Sequence, residues 1–293
     1  MTEEDTPCPL CEGTKNIYKR TLQYGSRLLA CSTCSLQFVH PFPPLGKNFY
    51  DQDYYRSWGV DGNKLPDHVK QLKEANMNEH VKSIQKYFQS GSILEVGSAM
   101  GSFLKMACEK GFDVTGLDLS HQACELAQTE APKAKVLQGT LETVDIEAES
   151  FDVIFLSDLV EHIIRPAHFW KELTKLLKNK GIFYITTPDP EHWSCYMAGN
   201  SWIHFKEEHL IFYPQNAIKW VCTRYGLTLV DFSHIKKYTN LCYIAAQAKQ
   251  FGPKSLDKGF SSLNNLLYKK WTECLFPLPL GEARFVLLKA DRD

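Results

Sequence analysis

Neither sign of charge gathers anywhere in this sequence. Lys and Arg number 33, Asp and Glu 34, and the net charge is −1. A nucleic-acid binder carries a basic stripe or patch, and no run of Lys and Arg stands out here, so nucleic acid is a disfavoured partner. Long apolar runs are also missing. No stretch approaches the roughly 20 residues of a membrane span. The opening MTEEDTP is acidic and polar, without a basic-then-apolar leader; this predicts no signal peptide and a cytoplasmic protein. Cysteine is plentiful, at ten, yet its placement is not that of a disulfide scaffold. Four lie in the first 34 residues as two CxxC pairs, and Cys108, Cys124, Cys195, Cys222, Cys242 and Cys274 are scattered singly, as expected of small buried apolar residues.

The two pairs, CPLC at 8–11 and CSTC at 31–34, are nineteen residues apart. That spacing predicts a tetrahedral zinc site of Cys8, Cys11, Cys31 and Cys34. Four thiolates close the coordination sphere, so the metal has a structural task. Iron in a rubredoxin-like site is the rival, because four cysteines do not by themselves choose the metal. Between the pairs, YKRTLQYGSRLLA alternates around Gly25 and predicts a short hairpin. The module spans about residues 1–45 and is too small to fold on its core alone. A proline-rich linker follows, with Tyr50, Tyr54 and Tyr55 as a lid or packing surface. Val69, Leu72, Met77, Val81, Ile84 and Phe88 give helical spacing over 66–89. Residues 46–90 are therefore read as linker and helical lid.

From 92 onward strands and helices alternate. SILEVG, FDVTGLDLS, AKVLQG, FDVIFLS and IFYITTPD are strand-like. SFLKMACEKG, HQACELAQTEA and HFWKELTKLLKNKG (168–181) are helical. The strands are near-continuously apolar, which predicts a parallel sheet covered on both faces. Near the C-terminus, QNAIKWVCTRY reads as a helix, and 226–235 and 281–290 as an antiparallel pair of strands. The interval of about 240–275 reads as a helical insertion, either packed or serving as a substrate cap or dimer contact. The sequence implies no particular oligomeric state.

The stretch ILEVGSAMGSFL at 93–104 ends a strand and opens a helix. It lacks the third glycine of a dinucleotide fingerprint and the lysine of a P-loop, which disfavours a phosphate cradle. Its glycines still point to a close approach to the backbone, and Glu95 beside them suits a cationic ligand. Asp118 ends the next strand, 21 residues past Gly97, where a carboxylate accepts hydrogen bonds from a ribose. S-adenosylmethionine, with a ribose, an ammonium and a sulfonium, fits a ligand that has a ribose and a positive charge and no pyrophosphate.

LEVGSAMGSF, VTGLDLS, GTLETV and FDVIFLSDLVEHI together resemble the class I S-adenosylmethionine-dependent methyltransferases over about 91–293. Ala99 stands where that family has its middle glycine. The N-terminal CPLC…CSTCSLQFVHPFPP resembles the zinc-ribbon-bearing branch that modifies sugars, glycans and natural products. The implied fold is α/β: a Rossmann-like sheet, parallel with an antiparallel terminal strand, plus a small N-terminal zinc ribbon. The implied cofactor contacts are Glu95, Gly97, Ser98, Ala99 and Gly101 at the methionine end. Asp118 holds the ribose and Leu119 packs on the adenine. Thr140, Leu141 and Glu142 lie beside the adenine, and Ser157 and Asp158 near the sulfonium.

The expected reaction is methyl transfer, most simply to the oxygen of a small-molecule or glycan acceptor. A hydroxyl is a poor nucleophile, so a general base is expected, and His162 and His209 are the candidates. The segment 189–213, rich in aromatic residues, is the expected acceptor pocket. Asp158, Glu161 and His162 form D-x-x-E-H, similar to a cluster in quinone-biosynthesis O-methyltransferases that can hold a divalent metal, and would suit magnesium or manganese. The alternatives are an RNA or protein methyltransferase that docks its target through the ribbon, or a non-catalytic scaffold.

Overall fold

A computed structural model describes residues 3–44, 67–241, 244 and 274–291. Residues 45–66 with the linker's three tyrosines, Cys242 and most of the 240–275 insertion lie outside the described residues. Two sheets organise the rest.

The larger sheet has seven strands: β5 (Ser92–Val96), β6 (Asp113–Asp118), β7 (Lys135–Gln138), β8 (Phe151–Ser157), β9 (Leu177–Pro188), β11 (Leu227–Thr239) and β12 (Phe276–Lys289). Their order is β11-β12-β9-β8-β5-β6-β7. The five strands from β9 to the edge strand β7 are parallel. β12 runs antiparallel between β9 and β11. The order reverses between β5 and β8, and such sheets bind ligands outside the carboxyl ends of their strands at that reversal.

Side chains alternate between the faces of a strand, and both faces are apolar here. Ile93, Val114, Val153, Phe155 and Val286 face a layer containing helices α1 (Asp67–Ile84), α2 (Ser102–Glu109) and α3 (His121–Glu130). Leu94, Leu117, Ile154, Phe183 and Phe285 face the layer of α4 (Pro166–Leu176) and α6 (Gln215–Tyr225). The short α5 (Trp193–Ala198) follows β9. Among the described residues no helix is long and apolar enough to cross a membrane.

The smaller sheet contains β1 (Glu3–Asp5), β2 (Lys15–Thr21), β3 (Arg27–Cys31) and β4 (Gln37–His40). Its fifth strand, β10 (Ile211–Phe212), comes from far along the chain and pairs with β4. Leu10, Leu29, Leu36 and Phe38 join one buried cluster with Leu210, Ile211 and Tyr213. The cysteine module thus packs on the second face of the large domain.

Helix α4 ends at Leu176, five residues before the expected stop. Leu177 already pairs with Phe151, and Ile182 next pairs with Val153. Residues 178–181 are an excursion within β9, with Lys180 at φ 62°. Strand pairing overrides the helix-compatible pattern of LLKNKG.

Candidate active site

The loop after β5 is tied to the end of β6. Gly97 N and Ser98 N both donate to the Leu117 carbonyl, at 2.7 and 3.2 Å. Asp118 Oδ2 accepts from Ala99 N at 2.8 Å, and its Oδ1 from Ser120 N at 2.9 Å. Each oxygen keeps a second lone pair, so the fixed carboxylate can still receive ribose hydroxyls. Ala99 sits at φ 44°, a left-handed conformation that suits glycine best. The close approach that the glycines suggested has an identifiable source at Gly101. A Cβ there would lie 2.8 Å from Ala127 Cα, so packing against helix α3 by itself requires that glycine. At Gly97 the neighbour is only the end of the Leu159 side chain, at 3.0 Å.

Glu95 is 6% exposed, and its Oε2 is buried without a hydrogen-bond partner. Burial and then the neighbouring Asp118 push its carboxyl well above the usual range. Ser98 Oγ is likewise buried and unpartnered. Leu119 is open to solvent. Leu141 packs at the edge of the second-face core. Glu142 lies 3.2 Å from His168, and Thr140 N donates to Thr143 Oγ1.

At the end of β8, Ser157 Oγ is 2.9 Å from Thr186 Oγ1. Asp158 turns the chain at φ 50°, and its N–H donates to the Thr186 carbonyl. A 3-10 turn, Val160–His162, follows. Glu161 is fully buried. Its Oε2 accepts from Thr187 Oγ1, while Oε1 has no partner.

His162 and His209 stand together, ring centroids 4.9 Å apart. His162 Nδ1 is 2.9 Å from the Glu208 carbonyl. A carbonyl only accepts, so Nδ1 carries the proton. Burial pulls His162 down to about 4. Burial, then the neighbouring His162, pulls His209 well below its ordinary value. A carboxylate of Glu161 and a nitrogen from each histidine lie within 4.8 Å of one another. Asp158, which the D-x-x-E-H spacing included, is not in that group; Lys237 occupies its Oδ2 at 2.6 Å.

The four N-terminal cysteines also converge, their sulfurs all within 4.8 Å. Cys8 Sγ is 3.6 Å from Cys34 Sγ, and Cys11 Sγ 3.5 Å from Cys31 Sγ. A tetrahedron with metal–sulfur bonds of about 2.3 Å has edges of about 3.8 Å. The two CxxC turns match: Glu12 N donates to the Cys8 carbonyl and Ser35 N to the Cys31 carbonyl, both at 2.9 Å. Glu12 and Ser35 have φ of 62° and 63°. The donor set and the repeated turn fit a tetrahedral metal.

A family model described as a methyltransferase domain matches residues 69–231, more than half of the chain. The chain belongs to this methyltransferase-domain family. Its Rossmann-like sheet is the one the resemblance implied. A ubiquinone biosynthesis O-methyltransferase of Pelagibacter ubique is 29% identical over 140 residues, covering 44% of this chain and 58% of the relative. A mitochondrial enzyme of the same description from Schizosaccharomyces pombe is 26% identical over 136 residues, covering 44% and 50%. The chain spans about half the length of the curated relatives it matches. A Bacillus halodurans protein assigned as a methyltransferase shares the fold: TM-score 0.55, 13% identity, 73% of this chain and 99% of that one.

Several polar residues near the strand ends of the large sheet carry no signal in the sequence. Lys237 bridges Asp158 and Glu282, at 2.6 Å to each. Asp189 Oδ2 is 2.7 Å from His234 Nε2. His80 on α1 meets the Tyr184 hydroxyl at 3.2 Å. None lies in a motif. Lys236 and Lys237 are adjacent on a strand, and only the pairing of β11 with β12 decides which one turns inward.

Proposed function

We propose that this chain transfers a methyl group from S-adenosylmethionine to an oxygen of a small-molecule acceptor. The observation that carries the reading is the unpartnered buried oxygen of Glu95 beside Asp118. Two carboxyl groups at adjacent strand ends, one with a buried oxygen that has no hydrogen-bond partner, suit a cation with hydrogen-bond donors. Glu95 and Ser98 would hold the cofactor's charged methionine end and Asp118 its ribose. When bound, the cofactor supplies an electrophilic methyl group; the chain supplies orientation and exclusion of water. Glu95, Gly97, Ser98, Ala99, Asp118 and Leu119 keep the roles that the resemblance implied. The relatives described as O-methyltransferases support oxygen as the accepting atom. A phenolic hydroxyl and a sugar or glycan hydroxyl both satisfy that chemistry.

We also infer a structural zinc at the four cysteines, supported by their sulfur separations. The Glu161, His162 and His209 group offers one oxygen and two nitrogens, which suits zinc, manganese or iron better than magnesium.

The test compares Asp118→Ala with His162→Ala by calorimetric titration with S-adenosylhomocysteine. Asp118→Ala removes a ribose acceptor and frees two loop N–H groups, so binding should weaken by tenfold or more, about 1.4 kcal/mol. His162→Ala should change it far less. Equal losses would undo the assignment of roles.

A further inference from the structure

Lys237 stands where the antiparallel end of the sheet reaches the carboxyl end of β8. Its ammonium lies 2.6 Å from Asp158 Oδ2 and 2.6 Å from Glu282 Oε1. Each carboxylate has a second oxygen, Asp158 Oδ1 and Glu282 Oε2, that is buried with no hydrogen-bond partner. From α1, His80 Nε2 is buried and unpartnered as well. On the other side His204 Nε2, 3.9 Å from Glu282, donates to the Leu280 carbonyl. A buried polar atom left unpaired costs about 1–3 kcal/mol. Several of them around one cation form a polar cluster that a ligand group could satisfy. The cluster is not sealed: the Asp158 side chain is 34% exposed and that of Lys237 20%. Asp158 directly follows Ser157, at the strand end where this fold receives ligands.

The occupant must donate to carboxylate oxygens and accept from an ammonium. A hydroxyl does both. We propose that Asp158, Lys237 and Glu282 form the subsite for the accepting oxygen, with Glu282 taking the hydroxyl proton and Lys237 holding the resulting oxyanion. This rests on the methyl-transfer reading above. The O–H bond breaks and the proton goes to Glu282 Oε2. The oxygen uses the freed pair to bond the methyl carbon, and the pair of the old carbon–sulfur bond stays on sulfur. The positive charge lost from sulfur is balanced by the proton left on Glu282.

The surroundings suit these roles. Asp158 and Glu282 hold Lys237 above its ordinary value despite burial, so it stays a cation. Burial pushes Glu282 up to about 7, against the pull of Lys237, where a carboxylate exchanges protons at neutral pH. On this geometry the base is a glutamate on the last strand, bound to Lys237, in place of the histidines named by the sequence.

The test uses the full chain saturated with S-adenosylhomocysteine and 7-hydroxycoumarin as the hydroxyl probe. Absorbance is read at neutral pH, where most of the free probe is protonated. Wild type should bind the probe and show its anion band. Lys237→Gln should bind S-adenosylhomocysteine as wild type does, hold the probe about tenfold more weakly and lose the band; Lys237→Arg should restore it. Glu282→Gln should also lose the band, and it carries the test if Lys237→Gln does not fold. A wild-type complex that ignores the probe, or variants that ionise it as wild type does, would overturn the proposal. Failure of wild type to bind S-adenosylhomocysteine would instead overturn the methyl-transfer reading.

Discussion

Gly101→Ala separates two explanations of the loop after β5. Gly101 has φ 79°, and a left-handed conformation costs a non-glycine residue about 1–2 kcal/mol. Its new Cβ would also lie 2.8 Å from Ala127 Cα and 3.0 Å from the Ala127 carbonyl oxygen. Those are backbone atoms of α3, so the helix itself must shift. Overpacking of this kind costs about 1–3 kcal/mol, and the total is about 2–5 kcal/mol. Gly111→Ala is the control: φ is 88°, but nothing lies within 4 Å of its Cβ. It should lose only the conformational part. Gly97→Ala should fall between, because the Leu159 side chain can yield. Urea unfolding followed by circular dichroism gives the three midpoints, and Gly101→Ala should fall below Gly111→Ala by on the order of 1 M. Equal midpoints for Gly101→Ala and Gly111→Ala would refute the argument that α3 requires the glycine. Undiminished stability with lost S-adenosylhomocysteine binding would return Gly101 to the ligand.

Cys8→Ser should lower the metal content of purified protein, read by plasma mass spectrometry, and destabilise the whole chain because the ribbon shares the large domain's core. Unchanged metal content would disprove the four-thiolate site. Acid should destabilise the fold through its buried neutral histidines. Burial holds His80 near 4 and His204 near 3, against an ordinary 6.5. The unfolded chain binds their protons first, so stability is full above pH 6.5 and is lost as pH falls toward 4. His80 alone accounts for on the order of 3 kcal/mol. His80→Phe should flatten that part of the curve in pH-dependent denaturation, and an unchanged slope would contradict the assignment.

The alternation of strand and helix was legible because it rests on local apolar periodicity. So was the cysteine module, whose spacing carries its own geometry. The boundaries that failed were set by tertiary pairing. Residues 178–181 have a helix-compatible composition, and only the contact of Leu177 with Phe151 assigns them to β9. β10 is two residues long, too short for any pattern, yet it joins the module's sheet to the large domain. In the sequence His162 and His209 are separate candidates 47 residues apart; the fold makes them neighbours. Lys237 and Glu282 were invisible because a charged residue on a strand reads as solvent-facing until its partner strand is placed.

The most direct measurement is a calorimetric titration of the purified wild-type chain with S-adenosylmethionine, with NAD as the control. Saturable one-to-one binding of S-adenosylmethionine alone is the predicted result. Binding of NAD instead, or of neither, would contradict the reading of Glu95 and Asp118 as the cofactor's two carboxylates.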